Sequence, residues 1–298
     1  MSERGVTVFA PAKLNLFLHV GERRQDGYHD LESLVVFAEA GDRLEFAPGD
    51  ELVLKLSGPF ASQVPRATDN LVFKAARALS SSVGATITLE KNLPVEAGLG
   101  GGSADAAATL RGLNLLWRLD RPENELVELA ASIGSDVPAC VLSRPCWMEG
   151  RGERVATTQP LPPLSLVLVN PGIMLPTATV FGRLNARTGI GHMRPPLKPL
   201  ASIWDLIAYL ENAENDLEPP ACRQQPIIDQ VLEALNHEPG CVMAQMSGSG
   251  ASCFAIFDGH QFALGASERI AQEHPNWWVR ATHIAAPEIG APQLITAS

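Results

Sequence analysis

The stretch "PVEAGLGGGSADAAATLRGLNLLW", residues 94–117, constrains this chain more than any other. Gly98, Gly100, Gly101 and Gly102 fall within five positions, and an alanine-rich helical pattern follows at once. Glycine loses more conformational freedom on folding than any other residue, so such a cluster beside a helix implies a backbone that must come close to something. Two familiar phosphate loops do not fit. The pattern G-x-x-x-x-G-K-[ST] needs a lysine that the run lacks, and G-x-G-x-x-G started at Gly98 meets Ser103 where its third glycine should stand. The physics survives the failed patterns. Successive glycine amides converge into an anion nest. A helix starting at about Ser103 adds its unpaired N–H groups and positive dipole end. Polyphosphate is the natural guest; the plainer alternative is a strand-to-helix turn whose glycines only allow tight packing. Ser103 caps the helix, or turns its hydroxyl toward a phosphate or a hydrated Mg²⁺.

Composition narrows the partners. A formal charge of −10 lacks the basic footprint of a nucleic-acid surface, so an anionic ligand must be held by local donors. With 298 residues, 46% hydrophobic and 19% charged, the chain reads as globular, long for one core and comfortable for two domains. No apolar run approaches bilayer-spanning length, and the start is interrupted by Lys13 and Asn15, so neither a membrane span nor a secretory signal is expected. The five cysteines include no CxxC pair and read as small buried hydrophobes of a reducing, cytoplasmic compartment.

Strands come before helices in the first part. "VTVFAPAKLNLFLHVG" reads as strands around a Pro-Ala-Lys break, and "LVVFAEAGDRLEFAPG" and "ELVLKLSG" as strands separated by Gly-Asp and Pro-Gly turns. Thr68 and Asp69 are candidate caps for a helix with Leu71, Val72, Ala75, Ala76 and Leu79 on one face. "ATITLEKN" is a strand, the glycine loop and its helix follow, and "ENELVELAASIG" is a further helix ending near Gly134. "TTQPLPPLS" reads as a linker, dividing the chain into 1–158 and 159–298. Beyond it come strand "LVLVN", short helix "TATVFGRLN", a Gly/Pro-rich loop over 186–200, and helix "PIIDQVLEALNH". Strands "CVMAQM" and "CFAIF", helix "FALGASERIAQEH" and strand "WWVRATHIA" complete a split βαβ, ferredoxin-like order.

Other residues carry candidate chemistry. Lys13 and Asn15 share one face of an apolar strand, where unsolvated polar groups need partners, although a lone strand lysine is ordinarily an edge-protecting residue. In "IGSDVPACVL", Pro138 forces Val137 to be extended, so the chain must turn at Asp136. Asp26-Gly27 marks a hairpin, with Tyr28 and His29 directly after it as an exposed tip or an aromatic platform for a flat ligand. "MSGSGASCFAIF" is a second glycine loop, suggesting two backbones that close on one ligand. No histidine spacing resembles a metal site.

With "PAKLNL", "LPVEAGLGGGSADAA" and "MSGSGAS" in that order, the chain resembles the GHMP kinase superfamily over nearly its whole length. "GYH", "DNLV", "GSDVP", "PTATVF" and "NDLEPPA" resemble the branch that phosphorylates a cytidine diphosphate-linked methylerythritol, rather than homoserine or mevalonate kinases or a non-catalytic nucleotide sensor. The resemblance implies an α+β, two-domain GHMP kinase fold: an N-terminal domain like the second domain of ribosomal protein S5 and a ferredoxin-like C-terminal domain. It implies ATP and Mg²⁺. Carried over motif by motif, Lys13 and Asp136 become the catalytic pair. Pro94, Val95, Glu96, Ala97, Gly98, Leu99, Gly100, Gly101, Gly102, Ser103 and Ala104 become the ATP loop, with Lys91 and Asn70 near the adenosine. Asn15, Tyr28, His29, Thr177 and Phe181 become substrate contacts, with Tyr28 and Phe181 sandwiching cytosine. The Mg²⁺ ligands are left open, Ser103 being the candidate, and so is the oligomeric state. Glu96 departs from the family pattern, where a small residue is common, and is expected to point away from the triphosphate.

Overall fold

The computed structural model describes residues 4–65, 70–184, 197–211 and 213–296. Strands β1 (Arg4–Asn15), β2 (His19–Arg23), β3 (His29–Pro48) and β4 (Leu52–Ser57) come first. Helix α1 (Leu71–Leu79), strand β5 (Ala85–Glu90) and helices α2 (Gly101–Leu116), α3 (Glu123–Ala130) and α4 (Val137–Leu142) follow, then the hairpin β6 (Cys146–Gly150) and β7 (Arg154–Thr157). Strand β8 (Ser165–Asn170) leads into helices α5 (Thr177–Phe181), α6 (Ile203–Leu210), α7 (Glu218–Gln224) and α8 (Ile227–Asn236). The chain ends with β9 (Cys241–Met246), β10 (Cys253–Phe257), α9 (His260–Glu273), β11 (Trp278–His283) and β12 (Gln293–Thr296).

Two sheets organise these elements. The smaller, ordered β11-β8-β10-β9, is antiparallel throughout and carries α8 and α9, the split βαβ order read from the sequence. The larger runs β12-β1-β3-β5-β4, with β2 and β6 also pairing β3; the last strand thus returns to the first sheet. Alternation assigns the layers. On β8, Val167 and Val169 pack toward the helices, while Leu166 and Leu168 join the apolar layer between the two sheets.

The same rule exposes an irregularity in β1. Val6, Val8 and Ala10 belong to the core under α1 and α2, whereas Ala12, Leu14 and Leu16 belong to the layer between the sheets. The change of face coincides with a register shift between Pro11 and Ala12. It leaves Lys13 and Asn15 on the other face, toward the helices and the functional pocket. The Pro-Ala-Lys segment is therefore no strand break; β1 runs through it. Gly41-Asp42 is likewise no turn but lies inside β3, opposite Pro11. Glycine stands there because the strands approach closely: a Cβ at 41 would lie 2.3 Å from the Ala10 carbonyl oxygen.

Further expectations are corrected. Val137 is not extended but opens α4, because Pro138 falls in the first turn, where no proline N–H is needed. Asn70 caps α1, its side chain accepting from Val72 N at 2.9 Å; Thr68 and Asp69 lie outside the described residues, as does most of the 186–200 loop. Helices α6 and α7, the β6–β7 hairpin and β12 are additions to the elements expected from the sequence. The Asp26-Gly27 hairpin stands, with Gly27 at φ +87°.

Gly41→Ala is expected to destabilise the fold by about 1–3 kcal/mol, as overpacking at a site with no room does. Urea denaturation tests this; an unchanged midpoint would mean that the strands can separate there.

Candidate active site

Lys13 is almost fully buried and is held at two points. Its backbone N–H donates to Leu99 O at 2.9 Å, and its Nζ donates to Asp136 Oδ2 at 2.9 Å. Asp136 is the N-cap residue of α4 and remains partly exposed. Asn15, fully buried, donates from Nδ2 to Ser33 Oγ at 2.8 Å, and Ser33 passes the bond on to Phe17 O. Asn15 Oδ1 is buried with no hydrogen-bond partner among the described residues, an acceptor beside the pocket awaiting a donor.

The glycine loop bends into α2 through Gly100, its left-handed N-cap at φ +63°, seated against the Lys13 side chain. Gly98, at φ +75°, meets the second glycine loop: a Cβ there would lie 2.2 Å from Ser247 O. The loops are also hydrogen-bonded, Ser247 Oγ to Gly98 O at 3.0 Å and Ser252 N to Ala97 O at 3.0 Å. The glycines thus owe part of their identity to protein contacts, while the exposed Gly102 and half-buried Ser103 face the cleft at the start of α2. Glu96, at φ +52°, is exposed on the lip of that cleft.

One cavity of about 650 Å³ gathers most of the expected residues. Lys13, Asn15, Asn70, Lys91, residues 94–98 and 100–103, Asp136, Thr177 and Phe181 all line it. Leu99 and Ala104 are buried in the apolar packing instead, Leu99 serving through its carbonyl. Thr177 Oγ1 is 2.8 Å from Ser249 Oγ, linking α5 to the second loop. Tyr28 and Phe181 each pack on another side chain. Phe181 packs on His29, ring centroids 5.3 Å apart, while Tyr28, 51% exposed, lies under the Arg151 guanidinium at 5.1 Å. Burial, helped by the charge of Arg23, lowers the pKa of His29 and favours the neutral ring.

Sequence reading missed what anchors these residues. Lys91 is buried beneath the loop, its Nζ 2.6 Å from both Asp42 Oδ2 and Asp105 Oδ2. Asp42 also accepts from Asn92 N and Leu93 N, at 2.6 and 2.9 Å, fixing the segment between β5 and the loop. Burial alone would lower the pKa of Lys91, but the two carboxylates outweigh it and hold the ammonium above its ordinary value. Burial pushes Asp105 up to about 8, with Lys91 opposing and Asp42 reinforcing the rise. Asn215 donates to both Met246 O and Gly248 O at 2.8 Å, and Glu218 accepts from Met246 N at 2.7 Å, so "NDLEPPA" builds the second loop's support. A signal existed for Asp105, which sits in the glycine-loop string; none marked Asp42, which reads as a turn residue. Among the described residues no group of three or more His, Cys, Asp or Glu could hold a metal ion, and no helix is long and apolar enough to cross a membrane. The cysteines are free, with Cys140, Cys146 and Cys253 buried.

Residues 70–144 match the family of GHMP kinases, N terminal domain, and residues 204–275 match GHMP kinases, C terminal. The 4-diphosphocytidyl-2-C-methyl-D-erythritol kinase of Cereibacter sphaeroides is 48% identical over 272 residues, covering 91% of this chain and 96% of the relative. That of a Bradyrhizobium species is 49% identical over 284 residues, covering 91% and 94%. A crystal structure of 4-(cytidine 5'-diphospho)-2C-methyl-D-erythritol kinase superposes with a TM-score of 0.72 at 32% identity, covering 94% of this chain and 100% of that one. A homoserine kinase from Cytophaga hutchinsonii, at 17% identity and a TM-score of 0.68 over 98% of this chain and 97% of its own, shares the fold.

The buried triad sets a pH dependence. A carboxyl raised from 3.8 to about 8 takes up a proton on folding, so its contribution to stability is complete below about pH 4 and is lost as pH rises through about 8. Urea denaturation between those values should show wild type losing stability relative to Asp105→Asn; parallel profiles would contradict the assignment.

Proposed function

The chain belongs to the 4-diphosphocytidyl-2-C-methyl-D-erythritol kinase family of GHMP kinases, and we propose that it transfers the γ-phosphoryl group of ATP to the 2-hydroxyl of 4-diphosphocytidyl-2-C-methyl-D-erythritol, in non-mevalonate isoprenoid precursor synthesis. The observation that carries this reading is the Lys13–Asp136 pair at 2.9 Å, lining the same pocket as the glycine-bounded start of α2. In this reading the chain divides into a nucleotide-holding part, 1–158, and a C-terminal part, 159–298, whose last strand reaches back to the first sheet.

Phosphoryl transfer asks mainly for positioning and charge stabilisation, because the transition state is loose. The amides that open α2 and its dipole hold the phosphates in place. Asp136 accepts the proton of the attacking hydroxyl as its oxygen bonds to the γ-phosphorus and the bond to the ADP oxygen breaks. Lys13 orients that carboxylate. A tertiary alcohol is hindered and weakly acidic, which is why a base held in register is useful. Mg²⁺, when bound with the nucleotide, supplies neutralising charge to the phosphate oxygens. The Ser103 hydroxyl, on the cleft at the start of α2, would be the protein group that helps to hold the ion. Asn70 and Lys91 border the adenosine end. At the other end Asn15, Thr177 and His29 contact the cytidyl substrate, and Phe181 and Tyr28 bracket its cytosine. Asn15 Oδ1, already buried and unpaired, suits a pocket that rejects competitors by leaving polar groups unmet.

Radiolabelled ATP should label the cytidyl substrate but neither homoserine nor mevalonate. Asp136→Asn is expected to lower turnover about 10²–10⁴-fold with ATP binding retained; near-normal turnover rules out the base. Tyr28→Ala and Phe181→Ala should each raise the KM of the cytidyl substrate about 2- to 10-fold, the worth of one aromatic stacking partner. Unchanged values would remove the bracket.

A further inference from the structure

Helix α4 carries Asp136 at its N-terminal end, and the carbonyls of its other end all find partners. A helix leaves its last four carbonyls without intrahelical partners. In α4, Ser143 N donates to Ala139 O at 3.1 Å, Ser143 Oγ to Cys140 O at 2.7 Å, and Arg144 Nη1 reaches Leu142 O at 3.5 Å. The remaining partner is Arg111, whose Nη1 donates to Cys140 O at 2.6 Å and to Val141 O at 3.0 Å. Arg111 belongs to α2, the helix that starts at the glycine loop. One side chain thus joins the helix facing the phosphates to the helix bearing the acid.

Stability alone is a poor reason for an arginine here. Its Nε and Nη2 are buried with no hydrogen-bond partner among the described residues. Burial lowers its pKa to about 10, against weaker attraction from Cys140 and Glu123. Buried donors without acceptors cost free energy, and so does taking a charge out of water. Room to relax is missing too: a Cβ at Gly290, just before β12, would lie 2.8 Å from both Arg111 Nη2 and Ser143 Oγ. The guanidinium is clamped between the carbonyls and the C-terminal segment.

We infer that Arg111 is a positioning residue: by tying the body of α2 to the C-terminal carbonyls of α4, it sets the separation between the phosphate-holding amides and the Asp136 carboxylate. The inference rests on the reading of Asp136 as the base, and the test separates the two. Arg111→Met and Arg111→Lys are made in wild type and in Asp136→Asn, with single-turnover rates, KM for ATP and thermal midpoints measured for each. Arg111→Met should slow phosphoryl transfer on the order of 10- to 100-fold, the cost of a small misplacement, with KM for ATP retained. Arg111→Lys, which keeps one cationic donor, should recover part of that loss. In the Asp136→Asn background the Arg111 change should cost almost nothing further, because the group it positions is gone. Equal fold-losses in both backgrounds would overturn the inference, as would a loss that merely tracks the fraction of unfolded protein. Should Arg111→Met fail to fold, Arg111→Lys completes the same cycle with the same criteria. An Asp136→Asn enzyme as fast as wild type would instead remove the base reading, and the inference with it.

Discussion

Lys13 is the residue on which the site depends, because it is gripped from both ends. Its backbone is bonded to Leu99 of the glycine loop and its ammonium to Asp136 of α4, each at 2.9 Å. Burying a lysine is costly unless its charge is met, and here the Asp136 carboxylate of α4 meets it. This is possible only because β1 changes face between Pro11 and Ala12. Had the strand kept one alternation throughout, Lys13 and Asn15 would point into the apolar layer between the sheets.

A second layer of fixed charge lies under the first. Lys91, gripped by Asp42 and Asp105, connects β3, the strand leading into the loop, and the second turn of α2. The second glycine loop then closes on the first from the smaller sheet, braced by Asn215 and Glu218. The site is thus a seam: β1, β3, α2 and α4 on one side, and the β9–β10 turn and α5 on the other. The Ala97 and Gly98 carbonyls of the first side accept from Ser252 and Ser247 of the second.

Much of this was legible in the residues. The glycine run, its failure to match the common phosphate loops, the Asp26-Gly27 hairpin and the split βαβ order follow from local chemistry, and local chemistry is what a sequence displays. Family likeness added the pairing of Lys13 with Asp136, which 123 positions separate. What stayed hidden was long-range. Asp42 follows a glycine and reads as a turn, yet β1 pairs past it and Lys91 pulls it inside. Val137 precedes a proline and reads as extended, yet a proline in the first turn of a helix asks nothing of the backbone. Arg111 looks like an ordinary polar residue on an alanine-rich helix. Its partners are carbonyls, which leave no mark in sequence.

The most direct test of the central claim is a crystal structure with a nonhydrolysable ATP analogue and the cytidyl substrate bound. The account predicts phosphates against the amides that open α2, and the Asp136 carboxylate within about 2.6–3.2 Å of the acceptor hydroxyl. Phosphates seated away from that helix start, or an acceptor hydroxyl out of reach of Asp136, would contradict it.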